Sequence, residues 1–232
     1  MNMTVEISVV IPTYNAERSI EEVVEGCFSI LEEGKVEVIL VDDGSTDATV
    51  SIIEKVAMAL PNLHYLIHDK NLGQQRSIKD GMALAKGTCV VTMDDDLQQD
   101  PEEILLLWDK IQEGYDVVYG LPTRDGYPVH RAFGSKLVDL FFTWVLKKSK
   151  DVKVGSFRIM KKWISDMVVQ DDREFVYITA ILLDHTKNMA NVAITYRERP
   201  YGTSNYDAGK LIRLFLRLFV QYGWKKKKGN RI

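Results

Sequence analysis

Over its first half the chain alternates short apolar runs, rich in β-branched residues, with amphipathic segments of helix length. Ile7–Ile11, Val36–Val41, Leu63–His68, Thr88–Met93 and Asp116–Gly120 read as strands. Helices are predicted at about Arg18–Glu32, Asp47–Ala59, Gln74–Ala85 and Pro101–Gln112. Strands separated by helices pair in parallel through crossover connections, which predicts an α/β fold with a mostly parallel central sheet flanked by helices. After about Tyr119 the alternation weakens. A helix over Arg131–Lys148, a short strand near Phe157, a strand over Ala190–Tyr196 and a last helix over Ala208–Tyr222 are expected there. With 232 residues and no internal repeat, the chain suits one well-cored domain, residues 1–206, with an appendage at 207–232.

In an open α/β sheet the ligand lies at the carboxyl ends of the strands, so the loops leaving them should hold the chemistry. These loops are polar: Pro12-Thr13-Tyr14-Asn15, Asp42-Asp43-Gly44-Ser45, Asp69–Gln74 and Asp94-Asp95-Asp96-Leu97-Gln98. Side chains two apart on an extended segment project together, which would put Asp94 and Asp96 on one side as a hard-cation site. Gln98 could add a neutral oxygen, leaving positions for water and phosphate, as Mg2+ or Mn2+ is usually held with a nucleotide. The competing reading has the acidic triplet cap the helix opening at Pro101. A carboxylate in the Asp42–Asp47 loop can accept from a base N–H or a ribose hydroxyl, while Ser45 or Thr46 could cap a helix and Gly44 make a turn. The first strand exit has no G-x-G-x-x-G, which disfavours a dinucleotide-binding dehydrogenase. His64, His68, His130 and His185 are scattered, without the arrangement of a covalent hydrolase.

Charge changes the picture at the end of the chain. The net charge of −3 combines +7 over Asp207–Ile232 with −10 over the rest. Leu211, Leu214, Phe215, Leu218, Phe219 and Tyr222 fall on one helical stripe beside Lys210, Arg213 and Arg217, and Trp224 precedes Lys225–Lys228. Such a segment fits an anionic membrane surface, and Leu137–Leu146 with Phe141, Phe142 and Trp144 is a second apolar run of that kind. The alternatives are a helix packed on the core with a solvated lysine tail, or a sequence cut just before transmembrane segments. Cys27 and Cys89 read as reduced core residues. With no basic leader and no apolar run of membrane-spanning length, the sequence suggests a cytoplasmic protein peripheral on the inner face of the membrane. Nucleic acid is not an expected partner, because the globule is acidic and lacks an aromatic-basic groove pattern.

Taken in order, Val9–Asn15, Val41–Asp47, Asn71-Leu72-Gly73-Gln74-Gln75 and Met93–Glu103 resemble the family 2 glycosyltransferases. The Asp-Leu-Gln followed by Pro-Glu-Glu, Gly155-Ser156-Phe157-Arg158 and Arg199–Tyr206 are similar to polyprenyl-phosphate (dolichol- and undecaprenyl-phosphate) sugar transferases, the group of dolichol-phosphate mannose synthase. The resemblance implies a GT-A nucleotide-diphospho-sugar transferase fold and an inverting transfer from a UDP- or GDP-sugar to a polyprenyl phosphate. It implies donor binding by Pro12, Tyr14, Asn15, Asp42, Asp43, Asn71, Gly73 and Asp94. The metal would lie at Asp94, Asp96 and Gln98, and the acceptor phosphate at Arg124, Arg131 and Ser135, with Asp96 and Arg158 also in the catalytic set.

A lipid monophosphate is largely ionised at pH 7 and is already a nucleophile, so no dedicated base is required. The protein must instead stabilise charge, and Arg124, Arg131 and Arg158 are either the groups that orient the incoming phosphate or ordinary surface arginines. Three positions depart from the family pattern. Ala16 stands where Glu is common, with Glu17 beside it; Ser156 stands where several relatives have Asp; Arg76 either reaches the donor diphosphate or pairs with an acid. Two other functions are carried forward: transfer to a saccharide hydroxyl in surface polysaccharide synthesis, and a non-catalytic scaffold subunit. A homodimer and a membrane-protein partner stay open as assemblies.

Overall fold

In the computed structural model, residues 5–30, 35–123, 142–197, 214 and 216–223 are described. Seven strands form one sheet: β1 (Ile7–Thr13), β2 (Val36–Asp42), β3 (Leu63–Ile67), β4 (Cys89–Thr92), β5 (Val117–Pro122), β6 (Arg158–Lys161) and β7 (Met189–Ile194). The helices are α1 (Ile20–Phe28), α2 (Thr49–Ala57), α3 (Gln74–Met82), α4 (Glu103–Gln112), α5 (Lys162–Gln170) and α6 (Ile178–His185), followed by a π-helical turn at Phe219–Gly223.

The strand order is β3-β2-β1-β4-β6-β5-β7. The first four strands are parallel, as the alternating pattern requires. β6 runs antiparallel between β4 and β5 and separates them, and β7 lies parallel to β5 on the outer edge. The short strand expected near Phe157 is thus a central strand. Two helices, α5 and α6, were not anticipated. Six of the eight α6 residues are buried, so that helix has no polar face and no 3.6-residue signature to find.

Because successive strand residues point to opposite faces, β1 divides its side chains between two cores. Ile7, Val9 and Ile11 face α1, α2 and α4 through Ile20, Val24, Ile53, Ile104 and Leu107. Val10, with Ile39, Val41 and Val90, faces α3, α5 and α6 through Ile78, Met82, Ile164, Val168 and Ile181. At Gly81 a Cβ would sit 2.5 Å from a Val10 methyl, so only glycine lets α3 ride this close to the sheet. Cys27 and Cys89 are free and buried, as expected, and burial pushes the Cys27 thiol up to about 12.

The end of the chain divides differently from the predicted stripe. Leu218 and Tyr222 are buried in the α3–α5–α6 core with Leu214 packed against it, while Leu216, Phe219 and Val220 are exposed. Phe142 and Leu146 are likewise core residues, and among the described residues of that run only Trp144 is exposed, at 75%, while residues 137–141, Phe141 among them, lie outside the described residues. These runs are therefore not single membrane-facing stripes; each sends one side inward. Lys210, Leu211, Arg213, Phe215, Trp224 and the lysine cluster lie outside the described residues. Among the described residues, no helix is long and apolar enough to cross a membrane.

Candidate active site

β1 and β4 are neighbours, and the chain order departs in opposite directions from them, which opens a crevice at their carboxyl ends. The loops leaving β1, β2 and β4 meet there. Asn15, at φ 52°, donates its amide to Ser45 Oγ (2.9 Å) and accepts from the Thr46 amide on Oδ1 (2.8 Å). The Tyr14 amide donates to Asp95 Oδ2 at 3.2 Å. Tyr14 leaves its ring half-exposed at the mouth of the crevice, and Pro12 is buried within β1.

Asp42 and Asp43 are both buried but have different surroundings. Asp42 Oδ1 accepts the Gly44 and Ser45 amides at 3.1 and 2.9 Å, and its Oδ2 is buried without a hydrogen-bond partner. Asp43 spends both oxygens on the neighbouring loop, accepting the Leu72 amide at 2.8 Å and the Gly73 amide at 2.9 Å, with His68 Nδ1 3.2 Å from Oδ1. Asp43 therefore shapes the loop that carries Asn71 and Gly73, and Asp42 keeps an acceptor in reserve. Burying such an acceptor unpaired is costly, which marks the place for a ligand N–H or hydroxyl. Ser45 and Thr46 do not cap α2: Asp47 accepts the Thr49 amide and Glu17 the Ala48 amide. Glu17 is engaged there, and Arg76 pairs with Asp80 at 2.8 Å.

The acidic triplet is not the cap of α4 either, since Asp100 accepts the Glu102 amide at the head of that helix. Nor is it extended. The strand ends at Thr92 and Leu97 has φ 60°, so a turn, rather than strand alternation, gathers the three carboxyl groups. Asp94 accepts from Gln74 Nε2 on Oδ1 (2.7 Å), and from Ser156 Oγ (2.7 Å) and Gln99 Nε2 (3.1 Å) on Oδ2. Asp96 Oδ1 accepts the Gln98 amide at 3.1 Å, and Gln98 Oε1 accepts from the Tyr196 hydroxyl at 3.1 Å. Burial, with the neighbouring acids adding to it, raises the Asp94 carboxyl and pushes Asp95 up to about 7. Among the described residues no three acidic, His or Cys side chains converge to hold a metal ion, so a divalent cation at this loop would take only part of its ligands from the protein, and its charge would offset the repulsion of the crowded acids.

Arg158 was expected near an acceptor phosphate. It is instead buried in β6, donating from Nη1 to Thr179 Oγ1 at 3.0 Å, and its charge partly offsets the upward push on the Asp94 carboxyl. Its burial follows from β6 being a central strand, where it lies among Thr179, Tyr119 and Tyr177, and its Nε and Nη2 make no hydrogen bond of good geometry. Arg124, Arg131 and Ser135 lie outside the described residues. Gln74, Gln99, Ser156 and Tyr196, which hold the candidate metal residues, carried no assigned role in the sequence reading. Gln74, Gln99 and Ser156 did stand inside the quoted motifs.

A sheet of this order with an acidic loop at the β1–β4 crevice is the GT-A fold. Residues 8–168 match glycosyl transferase family 2, and the chain belongs to that family. It is 32% identical over 218 residues to the undecaprenyl-phosphate 4-deoxy-4-formamido-L-arabinose transferase of Proteus mirabilis (strain HI4320), covering 93% of this chain and 67% of that protein. The protein of the same name from Pseudomonas fluorescens (strain Pf0-1) is 29% identical over 221 residues, 92% of this chain and 64% of the relative. The chain thus spans about two thirds of the length of these relatives. Among solved structures, glucosyl-3-phosphoglycerate synthase from Mycobacterium tuberculosis, crystallised with Mn2+, UDP and glucosyl-3-phosphoglycerate, superposes with a TM-score of 0.69 at 19% identity, covering 94% of this chain and 80% of that one. Staphylococcus aureus TarS shares the fold at a TM-score of 0.63 and 20% identity, over 94% of this chain and 40% of that one.

Proposed function

We propose that this glycosyltransferase moves a sugar from a nucleotide-diphosphate donor to a polyprenyl phosphate of the undecaprenyl type, with inversion at the anomeric carbon. The observation that carries the reading is the 32% identity, over 93% of the chain, to a transferase named for undecaprenyl phosphate. The site geometry is consistent with it.

Asp42 Oδ2, the buried unpaired acceptor, would take a base N–H or ribose hydroxyl, and the half-exposed Tyr14 ring would lie against the nucleoside. Asn15 and Asp43 hold the two loops between which the donor would sit. Asp94, Asp96 and Gln98 would hold Mg2+ or Mn2+, which supplies charge stabilisation for a departing diphosphate. Gln74, Gln99 and Ser156 fix Asp94 for that duty, so Ser156 orients a carboxylate and is not itself a base. A lipid phosphate attacks without losing a proton first, which suits a site where no base is assigned. Arg124, Arg131 and Ser135 remain proposed for the acceptor phosphate by resemblance, as guanidinium groups bind phosphate through paired N–H donors. Arg158 is proposed to support Asp94 electrostatically. The exposed Leu216, Phe219 and Val220 beside Arg217 would rest on the membrane from its cytoplasmic side.

Purified protein incubated with undecaprenyl phosphate, Mn2+ or Mg2+ and a panel of UDP- and GDP-sugars should form one lipid-linked sugar, detected by mass spectrometry of the organic phase. Absence of any lipid product, with transfer to a saccharide instead, would overturn the acceptor assignment.

A further inference from the structure

Gln74 and Gln75 are adjacent on the first turn of α3 but reach in different directions, since successive helical side chains diverge by about 100°. Gln74 donates to Asp94 at the acidic loop. Gln75 Oε1 accepts, at 3.0 Å, from the amide of Ile178, the first residue of α6. That amide belongs to the first helical turn and has no partner within its own helix, so Gln75 acts as the cap of a helix 103 positions away.

The strap that leads into α6, residues 171–177, is held from two sides. On the α3 side, Lys79 donates to the Asp171 carbonyl and Gln75 takes the Ile178 amide. On the other, the buried Tyr222 hydroxyl accepts the Tyr177 amide at 3.1 Å and donates to the Phe175 carbonyl at 2.8 Å. Arg173 lies 4.3 Å over the Tyr222 ring while pairing with Asp171 at 2.6 Å and Asp184 at 2.8 Å, and Arg217 lies 5.8 Å over Phe175. A continuous chain of contacts therefore runs from the C-terminal segment through the strap to α3 and ends on Asp94.

We infer that Gln75 and Tyr222 are positioning residues, which couple the seating of the C-terminal segment to the placement of Gln74 against Asp94 and so to the affinity for a divalent cation with a nucleoside diphosphate. The ligand class rests on the proposed function; the coupling does not. Removing the Tyr222 hydroxyl leaves two strap backbone groups without their buried partner, and removing the Gln75 acceptor leaves the Ile178 amide bare. Either change loosens the strap, and α3 transmits it.

Amide hydrogen exchange tests the coupling without any ligand. Tyr222→Phe should speed exchange several-fold in the distant peptides 73–78 and 94–99, with β1 and β2 unchanged. Acceleration confined to 171–178 and 216–223, or spread evenly over the sheet, would overturn the coupling. The second measurement is Mn2+ binding with UDP or GDP by calorimetry. Gln75→Leu should weaken it about 3- to 10-fold, and Gln75→Glu, which keeps an acceptor oxygen for Ile178, should restore it to within about twofold. The Tyr222→Phe loss should be less than additive with that of Gln75→Leu, because both act through one strap. Fully additive losses, or no rescue by Glu, would count against the inference. A wild-type protein that binds neither nucleotide would instead defeat the proposed donor, with the exchange result still deciding the coupling.

Discussion

The Tyr14 amide donates to the Asp95 carboxylate at 3.2 Å, tying the exit of β1 to the exit of β4 across 81 positions of sequence. The bond joins the first strand's exit to the acidic loop, beside the Asp42 loop that Asn15 holds through Ser45 and Thr46. Functional groups separated along the chain by about fifty residues are thereby placed at one mouth.

Asp42 divides its two oxygens between structure and ligand, and the division can be tested. Asp42→Asn can keep an acceptor for the Gly44 and Ser45 amides, but puts an NH2 where the unpaired oxygen stands. Thermal stability should change little, while the Kd for UDP or GDP rises about tenfold or more, the scale of one lost hydrogen bond to a charged group. Calorimetric titration of both nucleotides checks it.

Asp96→Asn should abolish turnover and remove the Mn2+-dependent rise in melting temperature produced by a nucleoside diphosphate, because a ligand stabilises the fold only as far as it binds. Chelation of metal from the unaltered protein should have the same two effects. An unchanged biological function in the Asp96→Asn protein would favour the scaffold reading.

Gly44 has φ +78°, and a Cβ there would lie 2.8 Å from the Lys70 carbonyl carbon and 2.9 Å from the Asn71 amide nitrogen. Backbone atoms cannot swing aside as side chains do. Gly44→Ala should cost about 2 kcal/mol of stability in urea unfolding and should also weaken donor binding, since the β2 loop and the Asn71 loop must part.

Asp171 gives a pH-dependent prediction. Burial by itself raises its carboxyl, but the hydrogen bonds and charge of Arg173 outweigh that and hold it below the ordinary 3.8. A carboxyl lowered in the folded state contributes stability that is complete above its unfolded value and is lost as pH falls through its folded value. Asp171→Asn should therefore cost about 1 kcal/mol at pH 7, with the difference from wild type shrinking below about pH 4. Urea titrations at several pH values measure it.

Leu216 and Val220 are 58% and 66% exposed, whereas Leu218 between them is buried. Replacing both exposed residues with Ser should weaken sedimentation with phosphatidylglycerol-containing vesicles about tenfold while leaving the melting temperature in place. Replacing Leu218 should do the reverse, lowering the melting temperature by opening a cavity.

The first five strands, the first four helices and the polar loops that leave the strands were legible in the sequence, because periods of 2 and 3.6 and the turn residues are local properties. The ordered motifs also indicated the family and the acidic loop. Tertiary structure alone decided what long-range pairing controls: β6 entering antiparallel between β4 and β5, and α6 hidden by its all-round burial. It also decided that Phe142, Leu218 and Tyr222 turn inward, because apolar residues on one stripe look the same whether a core or a membrane covers them. The same holds for the partners of Asp94. Gln74 comes from α3, Gln99 from the acidic loop itself and Ser156 from the segment before β6, and no periodicity in sequence records which donors will converge on one carboxylate.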